Sequence, residues 1–300
     1  MRKVIALTIL AGILCTLPGC GFGLGLPGGL NLGFGNSFLY DHAGRYSVGD
    51  AVIKKPVETL EIDWLSGSVS VVAGSGDSVT IREVTSGKTD DDMRVHWWLD
   101  GSTLRIKFCA SGLKTHFYHG KKDLTVTVPE SLVLSGISID SASGDVNVLN
   151  AGADELSVDT ASGEIRVDTA CDLKSLRTDS ASGNQSVSVR SAVTASLDTA
   201  SGKIEVTADS IRNLDIDSAS GDVLCKLREA PDDGSIDTAS GKVAVVFPED
   251  AAFTLKLSTA SGRLNSDFAM KKAGNTYVCG VGSGRMHIDT ASGNVSLYAE

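Results

Sequence analysis

Seven aspartates with the same surroundings are the residues best suited to bind a ligand. Each opens an Asp-Ser/Thr-Ala-Ser-Gly motif, and an eighth copy of the motif has Ser258 in its place. Stacked one per repeat, their carboxylates would stand about 5 Å apart, where like charges repel unless cations or donors compensate them. Because hard cations prefer oxygen ligands, this aspartate ladder is a candidate stripe for calcium or a polycation. Its members are Asp140, Asp159, Asp179, Asp198, Asp217, Asp237 and Asp289.

A local role explains the same aspartates without a ligand. An aspartate before a turn can accept hydrogen bonds from the backbone N–H groups of that turn, and glycine can adopt positive φ there. The motif also lacks the Gly-Gly-x-Gly-x-Asp pattern of calcium-binding β-rolls. We therefore favour a structural role for the ladder, and calcium is the one candidate cofactor.

The other reactive side chains predict neither a catalytic residue nor a metal site. His116 and His119 have no carboxylate or cysteine partner at a suitable spacing. No Cys-x-x-Cys pair occurs, and nothing specifies how the cysteines of the mature chain would pair in disulfides. Motif hydroxyls such as those of Thr160 and Thr199 could form a recognition surface, but an internal ladder that stabilises the stack is the favoured interpretation.

The spacing of the motif predicts a repetitive fold. Its glycines follow one another at intervals of 19, 20, 19, 19, 20, 21 and 31 residues. A period near 20 is typical of a solenoid with one coil per repeat. The turn glycines are Gly144, Gly163, Gly183, Gly202, Gly221, Gly241, Gly262 and Gly293.

Apolar residues flank most of the motifs with a period of two. Ile137 and Ile139 precede Asp140, and Val146 and Val148 follow Gly144. Such alternation indicates two short strands per coil, each with one inward face. The predicted fold is all-β: a parallel β-solenoid (β-helix) over residues 131–300 with about eight coils of roughly 20 residues. Polar or small residues at four inward positions are expected weak points: Thr178, Gln185, Ala195 and Ser266.

Residues 46–130 are predicted to form an N-terminal β cap that continues into the solenoid. An uncovered coil would invite edge-to-edge aggregation, so the stack needs such a cover. The segment 62–69 reads as a degenerate first repeat, in which Trp64 and Leu65 replace Thr-Ala. The long last interval predicts an insertion over residues 271–283.

The N-terminus indicates export and attachment to a membrane. Residues 1–19 have the basic start and apolar stretch of a signal peptide, and Leu17-Pro18-Gly19-Cys20 is similar to a lipobox whose Cys20 is lipidated. Residues 20–45 form a Gly-rich tether. An uncleaved N-terminal anchor is the alternative, and both interpretations place the chain outside the cytoplasm on the bacterial cell membrane.

The charge of the chain limits its partners. The formal net charge is −10, and loss of the leader residues Arg2 and Lys3 lowers it by two, to −12. This acidity argues against nucleic acid and against attraction to anionic lipid headgroups.

Taken together, these segments resemble the bacterial putative-adhesin family of domains of unknown function. The resemblance covers residues 55–298 and rests on Leu-Glu-Ile-Asp-Trp-Leu-Ser-Gly-Ser-Val (60–69), Leu-Thr-Val-Thr-Val-Pro (124–129), the tandem motifs and the closing Ile-Asp-Thr-Ala-Ser-Gly-Asn-Val (288–295). It implies a β-solenoid at the cell surface or in the envelope and carries no catalytic residues.

The expected function is therefore a non-enzymatic surface lipoprotein, an adhesin or scaffold with a glycan, envelope or protein ligand. A polysaccharide-degrading β-helix enzyme is one alternative, although coils of 19–21 residues leave little room for the loops of a cleft. A calcium-stabilised structural module is the other.

Overall fold

The protein is built from β-strands, as the sequence predicts. The computed structural model describes residues 37–87, 89–114 and 120–300, with the backbone of residues 24–25 and 31–33. Within these ranges there are 26 strands, two 3₁₀ turns (Ala43–Arg45 and Asp91–Met93) and no α-helix. No helix among the described residues is long and apolar enough to cross a membrane. The predicted signal peptide, residues 1–19, and Cys20 lie outside the described residues.

The chain divides into two compact units. The described residues up to Thr169 form one, here called the N-terminal unit, and those from Ala170 onward form the other, the C-terminal unit. The boundary falls within strand β15 (Ile165–Ser182).

Strands of the N-terminal unit pair in parallel as stacked coils. Strands β12 and β13 meet at Gly144, and the inward Ile137, Ile139, Val146 and Val148 are at most 2% exposed, which confirms the predicted alternation. Strand β6 pairs with β10 on one side and β12 on the other, and β12 pairs with β14. The strands of these coils are β6 (Thr59–Ser66), β7 (Val69–Gly74), β10 (Thr103–Lys107), β11 (Lys122–Pro129), β12 (Val133–Ser143), β13 (Val146–Leu149) and β14 (Gly152–Ser162).

The register confirms the degenerate first repeat. Asp63 lies opposite Asp140, and Ser66 lies opposite Ser143. The first coil in the chain is therefore not the first in space, because β6 and β7 lie between the coil of β10 and β11 and that of β12 and β13.

Antiparallel strands cover the outer coil of this unit. Strand β9 pairs with β10 and β8 pairs with β11, while the short β4 and β5 pair with β9 and β8. A separate sheet of three antiparallel strands precedes them in the chain. The bounds are β1 (Leu24–Gly25), β2 (Asn31–Gly33), β3 (Ser37–Phe38), β4 (Ser47–Val48), β5 (Ala51–Ile53), β8 (Val79–Thr85) and β9 (His96–Asp100).

The C-terminal unit also stacks coils in parallel, but its last coil is interleaved. Strand β25 lies between β19 and β21, and β26 lies between β20 and β22. The bounds are β16 (Gln185–Ser201), β17 (Ile204–Ser220), β18 (Val223–Leu227), β19 (Asp233–Ser240), β20 (Val243–Phe247), β21 (Phe253–Thr259), β22 (Leu264–Ser266), β23 (Lys271–Ala273), β24 (Thr276–Cys279), β25 (Gly284–Thr290) and β26 (Val295–Ala299).

This interleaving departs from the sequential stacking expected for the repeats. The predicted insertion at residues 271–283 holds the hairpin of β23 and β24, and β24 pairs antiparallel with β21. Since β24 occupies one edge of β21, the final coil pairs in parallel with the other edge.

Close packing between coils accounts for the turn glycines better than turn geometry does. Gly221, Gly262 and Gly293 are outside the positive-φ set, unlike the φ of +129° at Gly144. What the corners share is proximity: a Cβ built on seven of the eight glycines would lie 1.7–2.2 Å from the carbonyl oxygen of the neighbouring coil's glycine. These seven are Gly144, Gly163, Gly202, Gly221, Gly241, Gly262 and Gly293.

Two of the expected weak points compensate each other. Thr178 and Gln185 are buried, and the Thr178 hydroxyl donates to Gln185 Oε1 at 2.6 Å. Gln185 Nε2 in turn donates to the Asp198 carbonyl at 2.6 Å. Satisfied hydrogen bonds remove most of the cost of burying these polar groups. The small apolar Ala195 is buried. Ser266 lies opposite the buried Leu297, in the inward column as predicted, but it is exposed.

A buried ion pair lies in the N-terminal unit. The Lys122 side chain is 0% exposed, and its Nζ is 2.7 Å from Glu83 Oε1, whose side chain is 3% exposed. Nζ also donates to the carbonyl oxygens of Met93 and Phe108 and lies 4.1 Å from the Phe108 ring centroid and 5.1 Å from that of Trp64. Burial lowers the pKa of Lys122, while the contact with Glu83 opposes that shift.

Candidate functional site on the aspartate ladder

The predicted ladder is real in register, and its carboxylates lie on the outer faces of the strands. Asp140 pairs with Asp159 in the N-terminal unit. In the C-terminal unit Asp198 pairs with Asp217, Asp217 with Asp237, and Asp237 with Asp289. Most members are half-buried rather than fully solvated.

In the N-terminal unit, the side chain of a lysine lies at the end of the column of aspartates. Lys107 lies opposite Asp63 and forms an ion pair with it, and Asp63 lies opposite Asp140. Asp140 is 7% exposed, and its pKa is raised to about 7, first by burial and then by the nearby Asp63 and Asp159. A carboxyl that is partly protonated near neutral pH lessens the repulsion that stacking would otherwise cause.

In the C-terminal unit, neighbouring side chains change the charge balance and the pKa of the ladder aspartates. Arg177 lies 3.0 Å from the Asp179 carboxylate and 3.7 Å from that of Asp198. Burial, followed by the charges of Asp215, Asp198 and Asp237, raises the pKa of Asp217 to about 6.

Serines two residues before a ladder aspartate donate hydrogen bonds to its carboxylate. The hydroxyls of Ser196 and Ser235 each donate at 3.3 Å to the following ladder carboxylate, on Asp198 and Asp237. The expected acceptance of turn N–H groups is not made by these two aspartates, so that part of the interpretation is wrong for them.

The turn hydrogen bonds come from a position that sequence reasoning missed. The side chains of Asp145 and Asn184, which directly follow motif glycines, accept a backbone N–H from the next coil, at Glu164 and Lys203, with both distances 2.9 Å. We call the Asp and Asn side chains that accept a backbone N–H from a neighbouring coil in this way the Asx clamps; all but the first follow a motif glycine: Asp123, Asp145, Asn184, Asp222 and Asn294. Each clamp joins one coil to its neighbour. The available signal was the residue after each glycine, which alternates in the chain between Asp or Asn and another residue type from Asp145 to Lys242.

The motif hydroxyls face inward. Thr160 and Thr199 are each 6% exposed, and Ser218 is 2% exposed. They are therefore not part of a recognition surface, but they do not form a hydrogen-bonded ladder either: the Thr160 hydroxyl donates to the Ser162 carbonyl at 3.1 Å, and Thr199 Oγ1 and Ser218 Oγ are buried without a hydrogen-bond partner. The serines that precede the glycines, such as Ser201 and Ser220, are exposed.

The described residues offer no assembled metal site or disulfide. No group of three or more histidine, cysteine, aspartate or glutamate side chains among them is placed to hold a metal ion. The described cysteines are all unpaired: Cys109, Cys171, Cys225 and Cys279. His116 and His119 lie outside the described residues.

Stability should fall as the pH rises through the titration of Asp140. Its pKa is about 7 in the folded chain and about 4 when unfolded, so the folded state binds more protons between these values. The stabilisation is fully present below pH 4 and is lost as the pH rises through 7. Asp140→Asn should therefore raise the unfolding free energy at pH 8 by about 1–3 kcal/mol and leave it nearly unchanged near pH 4.

Urea denaturation between pH 4 and pH 8 measures this difference. Asp250→Asn, at an exposed turn position, serves as the matched control and should show the pH dependence of the wild type. Parallel curves for the wild type and Asp140→Asn would contradict the prediction.

Stacked parallel strands joined at glycine corners define an all-β protein with a β-solenoid-like fold. Within that class, the model of the Toastrack DUF4097 family matches residues 57–298, and the chain belongs to this family. The match confirms the resemblance drawn from residues 55–298.

Two solved structures are similar to the chain at low identity. A putative cell adhesion protein from Clostridium sporogenes is 11% identical, with 85% of this chain and 100% of that chain covered and a TM-score of 0.27. A putative adhesin from Bacteroides fragilis is 18% identical, with 84% and 96% covered and a TM-score of 0.45. No curated protein matches the chain.

Proposed function

We propose that this chain is a non-enzymatic lipoprotein of the bacterial cell surface or envelope, in which a β-solenoid of about eight coils with an N-terminal β cap acts as an adhesin or binding scaffold. The observation that carries the proposal is the uniformity of the coils. Successive glycine corners approach so closely that a Cβ would collide with the next corner, so no loop emerges there. The surface is therefore made of strand side chains in fixed columns, which suits display rather than a cleft.

The N-terminus supports an extracytoplasmic location. A basic start, an apolar stretch and a lipobox-like Cys20 precede the described fold, and Phe38 lies 18 residues after that cysteine. Lipid at Cys20 would hold the stack at the membrane and leave its columns open to a glycan, an envelope component or a protein. The ladder aspartates and their serine neighbours supply hydrogen-bond acceptors and donors for such a ligand.

Attachment is tested by expressing the full chain and Cys20→Ser in a bacterial host supplied with labelled palmitate. We expect label and membrane retention in the wild type, and neither in the variant. Retention of unlabelled Cys20→Ser would instead support an uncleaved N-terminal anchor. External protease distinguishes an outward-facing chain from one that faces the cytoplasm.

Binding is tested with the detergent-solubilised full chain on an array of glycans and envelope components. We expect saturable binding without turnover of polysaccharide and with no fall in melting temperature on adding a chelator. Turnover abolished by Asp→Asn at a single coil would support the enzyme alternative. A chelator-dependent fall in melting temperature would support the calcium-stabilised module.

A further inference from the structure

An aromatic patch lies on the surface of the N-terminal unit. The Trp98 ring on β9 is half-buried, and His42 and Tyr46 contact it with ring centroids 5.8 and 5.7 Å away. The Arg45 guanidinium lies 5.5 Å from the Trp98 centroid. Val48 on β4 is 42% exposed. The patch, defined by these five residues, combines aromatic rings that carry polar edges with a cation and an aliphatic side chain.

The patch is held firmly next to the point where the chain enters the fold. Phe38 is 1% exposed, its N–H donates to the Leu113 carbonyl at 3.0 Å, and its carbonyl accepts from Gly112 at 2.7 Å. The Tyr40 hydroxyl donates to the Cys109 carbonyl at 3.0 Å. The described end of the predicted tether is thus packed on the unit, which places the patch at that end.

The length of the tether keeps the patch close to any lipid at Cys20. Ser37 is 17 residues beyond Cys20, so a fully extended chain would span at most about 60 Å. Confinement within such a distance corresponds to an effective concentration on the order of millimolar. A surface with only weak affinity for lipid would then be occupied.

The chemistry of the patch suits a zwitterionic membrane surface. Tyrosine and tryptophan concentrate at the headgroup level because one end of each ring is apolar and the other is polar, and arginine extends its charge to the interface. The exposed Asp41 and Asp100 nearby oppose attraction to anionic lipids. Contact with lipid would therefore be driven by apolar area and would be insensitive to salt.

We propose that the patch of His42, Arg45, Tyr46, Val48 and Trp98 docks in the headgroup region of the bilayer that anchors the chain, and so fixes the orientation of the N-terminal unit. The inference rests on the proposed lipid attachment at Cys20.

Quenching of Trp98 by lipid tests the docking. The full chain with Trp97→Phe is reconstituted in phosphatidylcholine vesicles that carry a shallow nitroxide quencher, which leaves Trp98 and the fully buried Trp64 as emitters. We expect the quencher to reduce emission equally at low and high salt. The reduction should disappear when Trp98→Phe is added, and Val48→Asp should diminish it. Val193→Asp, at a position 46% exposed in the C-terminal unit, is the matched control and should leave it unchanged.

Flotation of the vesicles separates the two proposals. A chain that does not float overturns both lipid attachment and docking. A chain that floats while Trp98 is not quenched overturns docking alone. Quenching that requires anionic lipid and is lost in salt, or binding of a soluble glycan that depends on Trp98 without lipid quenching, would also overturn docking in a neutral interface.

Discussion

Gly144→Ala is expected to prevent stable folding of the N-terminal unit. A Cβ at this position would lie 1.9 Å from the carbonyl oxygen of Gly67, and φ is +129°. The obstacle is backbone held in a ladder of hydrogen bonds, so it cannot move aside without separating the coils. We expect a loss of more than about 4 kcal/mol, at the upper end of what single substitutions cause. Far-UV circular dichroism during urea denaturation of the purified chain measures it.

Gly76→Ala is the matched control. A Cβ there would meet no atom within 4 Å, and φ is not positive. Stability should be unchanged or rise by about 0.4–1 kcal/mol, because alanine restricts the unfolded chain. Similar stabilities of the two variants would mean that the corners do not pack as closely as described.

Lys122→Met is expected to cost about 3–5 kcal/mol, because it leaves the buried Glu83 carboxylate without its counter-ion. Methionine keeps much of the volume against Trp64 and Phe108, so lost packing contributes little. Thermal and urea denaturation measure the change. The double variant Lys122→Met/Glu83→Leu should recover most of the loss, since replacing a whole buried ion pair with apolar groups is often neutral.

Lys121→Met provides the control, since Lys121 is the exposed neighbour in sequence. It should change stability by no more than about 0.5 kcal/mol. If the single and double variants at Lys122 and Glu83 were equally unstable, the ion pair would not be the source of the loss.

The repeated corners and inward faces could be predicted because they follow from local pattern. Inward residues such as Ile139 and Val146 are 0% exposed, as a period of two requires. Cys225 is likewise 0% exposed at an inward position. Each of these assignments needs only the neighbouring residues in the chain.

The interleaved coils could not be predicted from the period, because a period says nothing about the order of coils in space. The residues that follow the corner glycines, some of which are Asx clamps, do indicate this order. In spatial order the residues after the corners run Asp222, Lys242, Asn294 and Arg263, and the Asp or Asn alternates with a basic residue. In chain order Lys242 and Arg263 would be adjacent and the alternation would fail.

The role of the ladder was only partly predictable. The column itself follows from the repeat, but the pKa of Asp140 depends on burial and on Asp63, which belongs to a coil 77 residues earlier in the chain. The cation at the end of the column, Lys107, is on a strand with no Asp-Ser/Thr-Ala-Ser-Gly motif. The repeat pattern does not predict contacts with residues this far away in the sequence.

The interleaving also constrains how the protein is made. If the chain leaves the cytoplasm N-terminus first, β19 and β21 emerge before β25, the strand that joins them. Until β25 and β26 arrive, two parallel edges stay open, and open edges recruit other chains. The C-terminal unit therefore closes only after residues 284–299 have emerged, so a translocation product interrupted before them would lack a middle layer rather than an end.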